Sequence, residues 1–117
     1  MKGKIKIKFE TLKRKIDFSR LIKEGTYKKD KYLITYLLKR TEYNGVVRVG
    51  FRISKKIGGA VIRNKIKRVL KEALRKVNIE ISENLDILLI ARKEIVAVDF
   101  WEIKKILENS LTTFLTD

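Results

Sequence analysis

Between Val46 and Arg92 the spacing of apolar residues changes period twice, and no other feature narrows the fold as much. Val47, Val49, Phe51 and Ile53 alternate with Arg48, Gly50 and Arg52, the pattern of a strand over Val46–Ser54. From about Ala60 to Val77 the period becomes helical, with Ile62, Ile66, Val69, Leu70, Ala73, Leu74 and Val77 on one stripe. Leu85 to Arg92 is then continuously apolar, as expected of a strand buried on both faces. Upstream, Lys15–Glu24 reads as a helix with Phe18, Leu21 and Ile22 on one face, ended by Gly25. Lys31–Arg40 reads as a strand, with Tyr32, Ile34, Tyr36 and Leu38 on one side and Leu33, Thr35 and Leu37 on the other. Asn44-Gly45 predicts a tight turn that folds this strand back on Val46–Ser54 as a hairpin. Downstream, Asp99 caps a last helix with Glu102 at capping-box spacing, and Phe100, Ile103, Leu107, Leu111 and Phe114 share its inner face. The order helix, hairpin, helix, strand, helix predicts a two-layer α/β (α+β) sandwich.

The 117 residues suit one domain, 1–117, and 44% hydrophobic content is enough for a real core. Residues 1–12 are ambiguous: Lys4 to Phe9 alternates like a strand, yet a flexible basic arm fits equally well. The chain carries 29 Lys plus Arg against 14 Asp plus Glu, a net charge of +15. That excess is uneven. Residues 1–76 hold 25 basic and 6 acidic side chains, net +19, whereas residues 77–117 hold 4 and 8, net −4. A domain so basic over two thirds of its length calls for a polyanion, and nucleic acid is the commonest. No Cys and no His are present, which excludes disulfides, thiolate zinc sites, Cys nucleophiles and His general bases. The longest apolar run, Ile87 to Ala91, is too short to span a bilayer, and the N-terminus lacks a signal-peptide core. A cytoplasmic protein without a membrane role is expected.

The chemistry concentrates in Arg63-Asn64-Lys65-Ile66-Lys67-Arg68-Val69-Leu70-Lys71. On a helix, Arg63, Lys67 and Lys71 form one row and Asn64 and Arg68 another, both away from Ile66 and Leu70. Like charges at these spacings repel by about a few tenths of a kcal/mol per pair. Cations near a helix N-terminus also oppose its dipole. Such a helix in a neutral protein is usually a solvated face. Here no Glu intervenes before Glu72, and the basic loop Lys55-Lys56-Ile57-Gly58-Gly59 precedes it, so a bound polyanion is the better reading. Gly58-Gly59 does not have phosphate-loop spacing. Phe18, Tyr32 and Tyr36 suit either base stacking or the core, with residue type favouring core for Phe18. Trp101, beside the last N-cap, is expected to pack.

The stretch Arg48 to Arg68 resembles the signature of bacterial ribonuclease P proteins. That signature is a strand ending in Ser-Lys-Lys (Ser54-Lys55-Lys56), then Gly58, Ala60-Val61 and an Arg-Asn-Arg helix (Arg63-Asn64-Lys65) running to Lys67-Arg68. Asp17-Phe18 with Gly25, Tyr36, and Ile90-Ala91-Arg92-Lys93 extend the likeness over nearly the whole chain. It departs at Lys65, which keeps charge but loses the planar guanidinium fork, and at Arg52, where many relatives have a small polar residue. Ile22 stands where relatives often have a second Phe.

The resemblance implies an α-β-β-β-α-β-α order with a left-handed βαβ crossover, a ribosomal protein S5 domain 2-like fold that breaks the usual right-handed rule. It implies the non-catalytic protein subunit of an endoribonuclease whose catalytic centre is RNA. Its partners would be the ribonuclease P RNA and precursor tRNA, with no obligate protein partner. It implies contacts to the catalytic RNA through Arg63, Asn64, Lys65, Lys67, Arg68 and Lys71. A cleft for the single-stranded 5′ leader of precursor tRNA would use Phe18, Ile22, Tyr36, Arg52, Ser54, Lys55, Lys56 and Arg92, which moves Phe18 and Tyr36 out of the core. No catalytic or metal-ligating residue is expected in the protein, and Mg2+ would be held mainly by the RNA. Three rivals remain on composition: a ribosomal or other structural RNA-binding protein, a DNA-binding protein, and a protein nuclease. The basic helix lacks the preceding short helix and turn of a helix-turn-helix.

Overall fold

The computed structural model describes residues 9–40, 47–77 and 84–115. Its elements are β1 (Phe9–Thr11), α1 (Lys15–Glu24), β2 (Thr26–Lys29), β3 (Leu33–Lys39), β4 (Val47–Arg52), α2 (Ala60–Arg75), β5 (Leu85–Ala91), a short 3-10 turn (Lys93–Ala97) and α3 (Phe100–Leu115). Five strands form one mixed sheet in the order β1-β4-β5-β3-β2. β5 is parallel to β4, with α2 as the crossover, and antiparallel to β3.

The expected hairpin between Lys31–Arg40 and Val46–Ser54 does not form, because β5 lies between β3 and β4. The reason is visible in β5 itself. Leu85, Ile87, Leu89 and Ala91 face one way and Asp86, Leu88 and Ile90 the other, and all but half-buried Ile90 are buried. Only a central position covers both faces of such a strand. β3 and β4 each keep a partly polar face and tolerate being its neighbours. The Asn44-Gly45 turn, the alternation of residues 4–8 and the Phe114 side chain lie outside the described residues. Residues 9–11 form β1, paired in parallel with β4, and Leu12 beyond it is buried. β2 pairs with β3 at the opposite edge and has no counterpart in the strand pattern read from periodicity.

Helices cover the two faces unequally. α2 buries Ile66, Leu70, Ala73 and Leu74, and α3 buries Ile103, Leu107 and Leu111, against Leu33, Leu37, Val47, Val49, Leu85, Ile87 and Leu89. The stripe on α2 starts at Ile66. Ile62 is instead 43% exposed and folds back over Gly58, where a Cβ would lie 2.9 Å from its Cδ1. Tyr32 precedes β3 and escapes its alternation, packing with the larger core. Trp101 is 70% exposed and meets Phe100 edge-on at 5.2 Å, so it does not join the core. The Asp99 cap forms as expected: its Oδ1 accepts from the Glu102 N–H at 2.9 Å.

On the other face, among the described residues, ten-residue α1 is the one helix. It contributes Phe18 and buried Leu21 to a smaller cluster with Leu12, Leu88, Tyr36, Leu38 and Ile90. Ile22 is turned partly to solvent. One end of this face holds an ion network. Asp86 is buried and accepts both Nε and Nη2 of Arg48, at 2.8 and 2.7 Å, and pairs with Arg40 Nε at 2.9 Å. Asp17, also buried, holds Arg14 at 2.9 Å and approaches Arg48 at 4.0 Å. Breaking such a group by removing its buried carboxylate costs about 3–5 kcal/mol. Asp86→Asn should therefore lower unfolding free energy by about that amount in urea titrations. Glu24→Gln, at the exposed Arg20–Glu24 pair, should change it by less than about 1 kcal/mol.

Candidate nucleic-acid interface

α2 begins at Gly59 with no side-chain cap and no acidic residue in its first turn. Its inward stripe leaves Arg63, Asn64, Lys65, Lys67, Arg68 and Lys71 on the outer sides, with Asn64, Lys65 and Arg68 exposed and the others half-buried. The Arg63 Nε is shielded from water and has no hydrogen-bond partner among the described residues. An unmet buried donor costs about 1–3 kcal/mol. Lys71 lies 5.8 Å above the Phe51 ring. Its pKa is held below the usual lysine value, first by desolvation and then by Lys67, Arg75 and Lys13. The fold thus disfavours its charged form. The free protein gains stability as pH rises through the folded pKa toward the ordinary one, and a bound phosphate opposes that gain. Glu72, ion-paired with Arg75, closes the unopposed cationic run.

The second surface lies across the sheet, at the C-terminal ends of β4 and β5. Their parallel register sets Arg52 beside Ile90, so Ser54 and Arg92 follow at the same end. The Phe18 ring covers Gly50, where a Cβ would stand 2.4 Å from its Cε1, and the Arg52 guanidinium lies 5.6 Å above the ring. Glycine at 50 is therefore what lets α1 lay an aromatic ring on β4. Tyr36 is half-buried on β3, one strand beyond Leu88. Ser54, Lys55 and Lys56 form an exposed turn in which the Ser54 Oγ accepts from the Lys56 N–H at 3.1 Å. Arg92 is tethered, donating from Nη1 to the Asp30 carbonyl at 2.8 Å. Asp30 in turn caps the start of β3, accepting from the N–H groups of Tyr32 and Leu33 at 2.7 and 2.8 Å.

The fold thus brings Phe18, Arg52, Ser54, Lys55, Lys56 and Arg92 to one end of the α1 face, with Tyr36 further inside. Ile22 is one turn along α1 from Phe18. The α2 residues stand on the opposite side, joined through the Ser54–Gly59 loop. Two features escaped the sequence reading. Tyr27, on β2, is 64% exposed and lies 5.5 Å from Tyr36 between ring centroids. Asp86, a lone acid inside an apolar strand, was the available signal for the arginine network.

A cationic helix on one side of the sheet, and Phe18, Tyr36 and Arg52 grouped on the other, place the chain among small basic α/β domains of the kind that meet nucleic acid. The family model described as Ribonuclease P matches residues 7–115. The ribonuclease P protein component of Clostridioides difficile is 38% identical over 100 residues, covering 84% of this chain and 85% of its own. That of Thermoanaerobacter sp. strain X514 is 34% identical over 97 residues, covering 83% and 82%. The Staphylococcus aureus RNase P protein superposes with TM-score 0.77 at 32% identity, over 90% of this chain and 94% of that one. The Thermotoga maritima protein gives 0.74 at 32%, over 86% and 93%. The chain belongs to the ribonuclease P protein family.

Replacing one α2 cation should trade binding against self-repulsion. Lys67→Gln should leave thermal stability unchanged or raised by about a few tenths of a kcal/mol, since it relieves Lys71. It should also lower the slope of log affinity for the cognate RNA against log salt by about one. An unchanged slope would remove Lys67 from the interface.

Proposed function

We propose that this chain is the protein subunit of ribonuclease P, binding the catalytic RNA through α2 and the single-stranded 5′ leader of precursor tRNA in the α1-face cleft. It works in the cytoplasm and assists hydrolysis of one phosphodiester bond, which releases the leader and the mature tRNA 5′ end. The observation that carries this reading is the pairing of two distinct basic surfaces on one small sheet. One is a helix suited to folded RNA. The other is a cleft whose ring and guanidinium, Phe18 and Arg52, suit an unpaired strand.

The protein's contribution is electrostatic and positional. Arg63, Asn64, Lys65, Lys67, Arg68 and Lys71 screen phosphate repulsion between two polyanions. Phe18 and Tyr36 offer rings to bases, while Arg52, Lys55, Lys56 and tethered Arg92 line the strand's phosphates. Ser54 shapes the turn, and Ile22 adds apolar surface. Magnesium, which supplies water activation and leaving-group stabilisation in such reactions, is assigned to the RNA partner. Among the described residues no group of three carboxylates is available for it, and Asp17 and Asp86 are already paired with arginines.

The test is cleavage of precursor tRNA by the cognate RNA subunit at low magnesium, with and without this chain, using a long leader and a one-nucleotide leader. The expected result is restored cleavage, mainly of the long-leader substrate. Equal stimulation of both substrates would remove the cleft assignment, and no stimulation would favour a structural RNA-binding role. Gly50→Ala gives a finer check. Its methyl group must push the Phe18 ring aside. It should retain cooperative unfolding at a cost of about 1–2 kcal/mol, while long-leader affinity falls about fivefold or more.

A further inference from the structure

The sheet face beneath α1 continues past Tyr36 to the edge strand β2, where Tyr27 is the register partner of Tyr36. Register pairs share a face, so the row Gly50, Leu88, Tyr36, Tyr27 crosses β4, β5, β3 and β2 in turn. The next row is Arg52, Ile90, Ile34, Lys29. The Phe18 ring sits at the β4 end of the first row, and the Tyr27 ring at the β2 end. Arg52 lies over the Phe18 ring at one end, and exposed Lys29 shares the face two residues along β2 from Tyr27 at the other.

We propose that Tyr27, backed by Tyr36, extends the cleft to the sheet edge and stacks one further unpaired base of the RNA strand. The inference rests on the leader-cleft reading and adds to it a position and a ligand: a nucleobase of any identity, held by its flat face. The two rings lie 5.5 Å apart with planes tilted by 33°, close enough for Tyr36 to restrict where the Tyr27 ring rests. Tyr36 is itself held by the cluster of Leu12, Leu21 and Leu88. The outer ring is therefore positioned in advance, and binding need not fix it from a free rotor. Cross-strand packing alone accounts for the contact but not for the exposure. At 64% exposed, Tyr27 leaves most of its surface to solvent on an edge strand, where an aromatic invites unwanted pairing. Exposed aromatic rings on a sheet face that also carries cations are the arrangement that holds single strands without reading their sequence.

The test uses the assembled holoenzyme and precursor tRNAs with leaders of stepwise increasing length, each also prepared with 2-aminopurine at successive leader positions. With the wild-type chain, affinity should rise with leader length, and fluorescence should be quenched wherever a base stacks. Tyr27→Ala should lower long-leader affinity about fivefold or more, spare the one-nucleotide leader, and abolish the quench at one position while positions governed by Phe18 keep theirs. Tyr27→Phe should behave as wild type. Unchanged affinity and quench at every length in Tyr27→Ala would overturn the inference while leaving the cleft intact. An equal loss with the one-nucleotide leader would mark Tyr27 as purely structural, which also overturns it. If the wild-type holoenzyme shows no leader-length dependence, the cleft reading fails and this inference falls with it.

Discussion

The molecule depends on β5 occupying the centre of the sheet. Among the described strands it is the most deeply buried, only Ile90 of Leu85–Ala91 falling short of full burial, and both β3 and β4 pair with it along its length. Its larger-core face receives α2 and α3, and its other face receives α1. The single exception to its apolar character, Asp86, gathers Arg40 from beyond β3 and Arg48 from β4 around one buried carboxylate. That contact ties three stretches of chain far apart in sequence. A buried ion group of this kind adds little net stability over a well-packed apolar one, yet it is costly to break and so discriminates against other registers.

Unequal coverage of the two faces shapes the two proposed RNA surfaces. α2 and α3 share one face and seal it, so the cations of α2 are displayed on an outer surface away from the core. Ten-residue α1 covers only part of the other face. Beyond it, among the described residues, Tyr36, Ile34 and Ile90 stay half-buried on the same face. Charge follows the same division among the described residues: over 84–115 Asp86, Glu94, Asp99, Glu102 and Glu108 nearly balance Arg92, Lys93, Lys104 and Lys105, and α3 packs on the face opposite α1. One small domain thus presents a cationic helix on one side of its sheet and a partly covered face on the other.

Much of this is legible in the residues. The bounds of α1 follow from its apolar spacing and Gly25, the alternation of β3 and β4 assigns their faces, and the Asp99 cap is readable from its spacing to Glu102. Strand order is not, because pairing depends on which strand most needs burial and Asn44-Gly45 suggested a local partner instead. β2 was missed because Thr26-Tyr27-Lys28-Lys29 carries too few apolar residues to show a period. Ile62 was misplaced because a helical stripe does not reveal where the neighbouring layer ends. For Phe18 and Tyr36, residue type alone left core and cleft in competition. Both are half-buried and packed on the smaller cluster, an intermediate burial that residue type does not specify.

The central claim is that the two faces carry two separable RNA contacts, and a double-mutant cycle tests it most directly. Affinity for the RNA subunit, and holoenzyme affinity for long- and short-leader precursor tRNA, would be measured for Arg68→Ala, Phe18→Ala and the pair. The account predicts that Arg68→Ala weakens assembly with the RNA subunit whatever the leader. Phe18→Ala should weaken only long-leader binding, and the two losses should add to within about 0.5 kcal/mol. Weakened assembly on Phe18→Ala, or coupling well beyond that limit, would mean that the two faces form a single contact and would contradict the account.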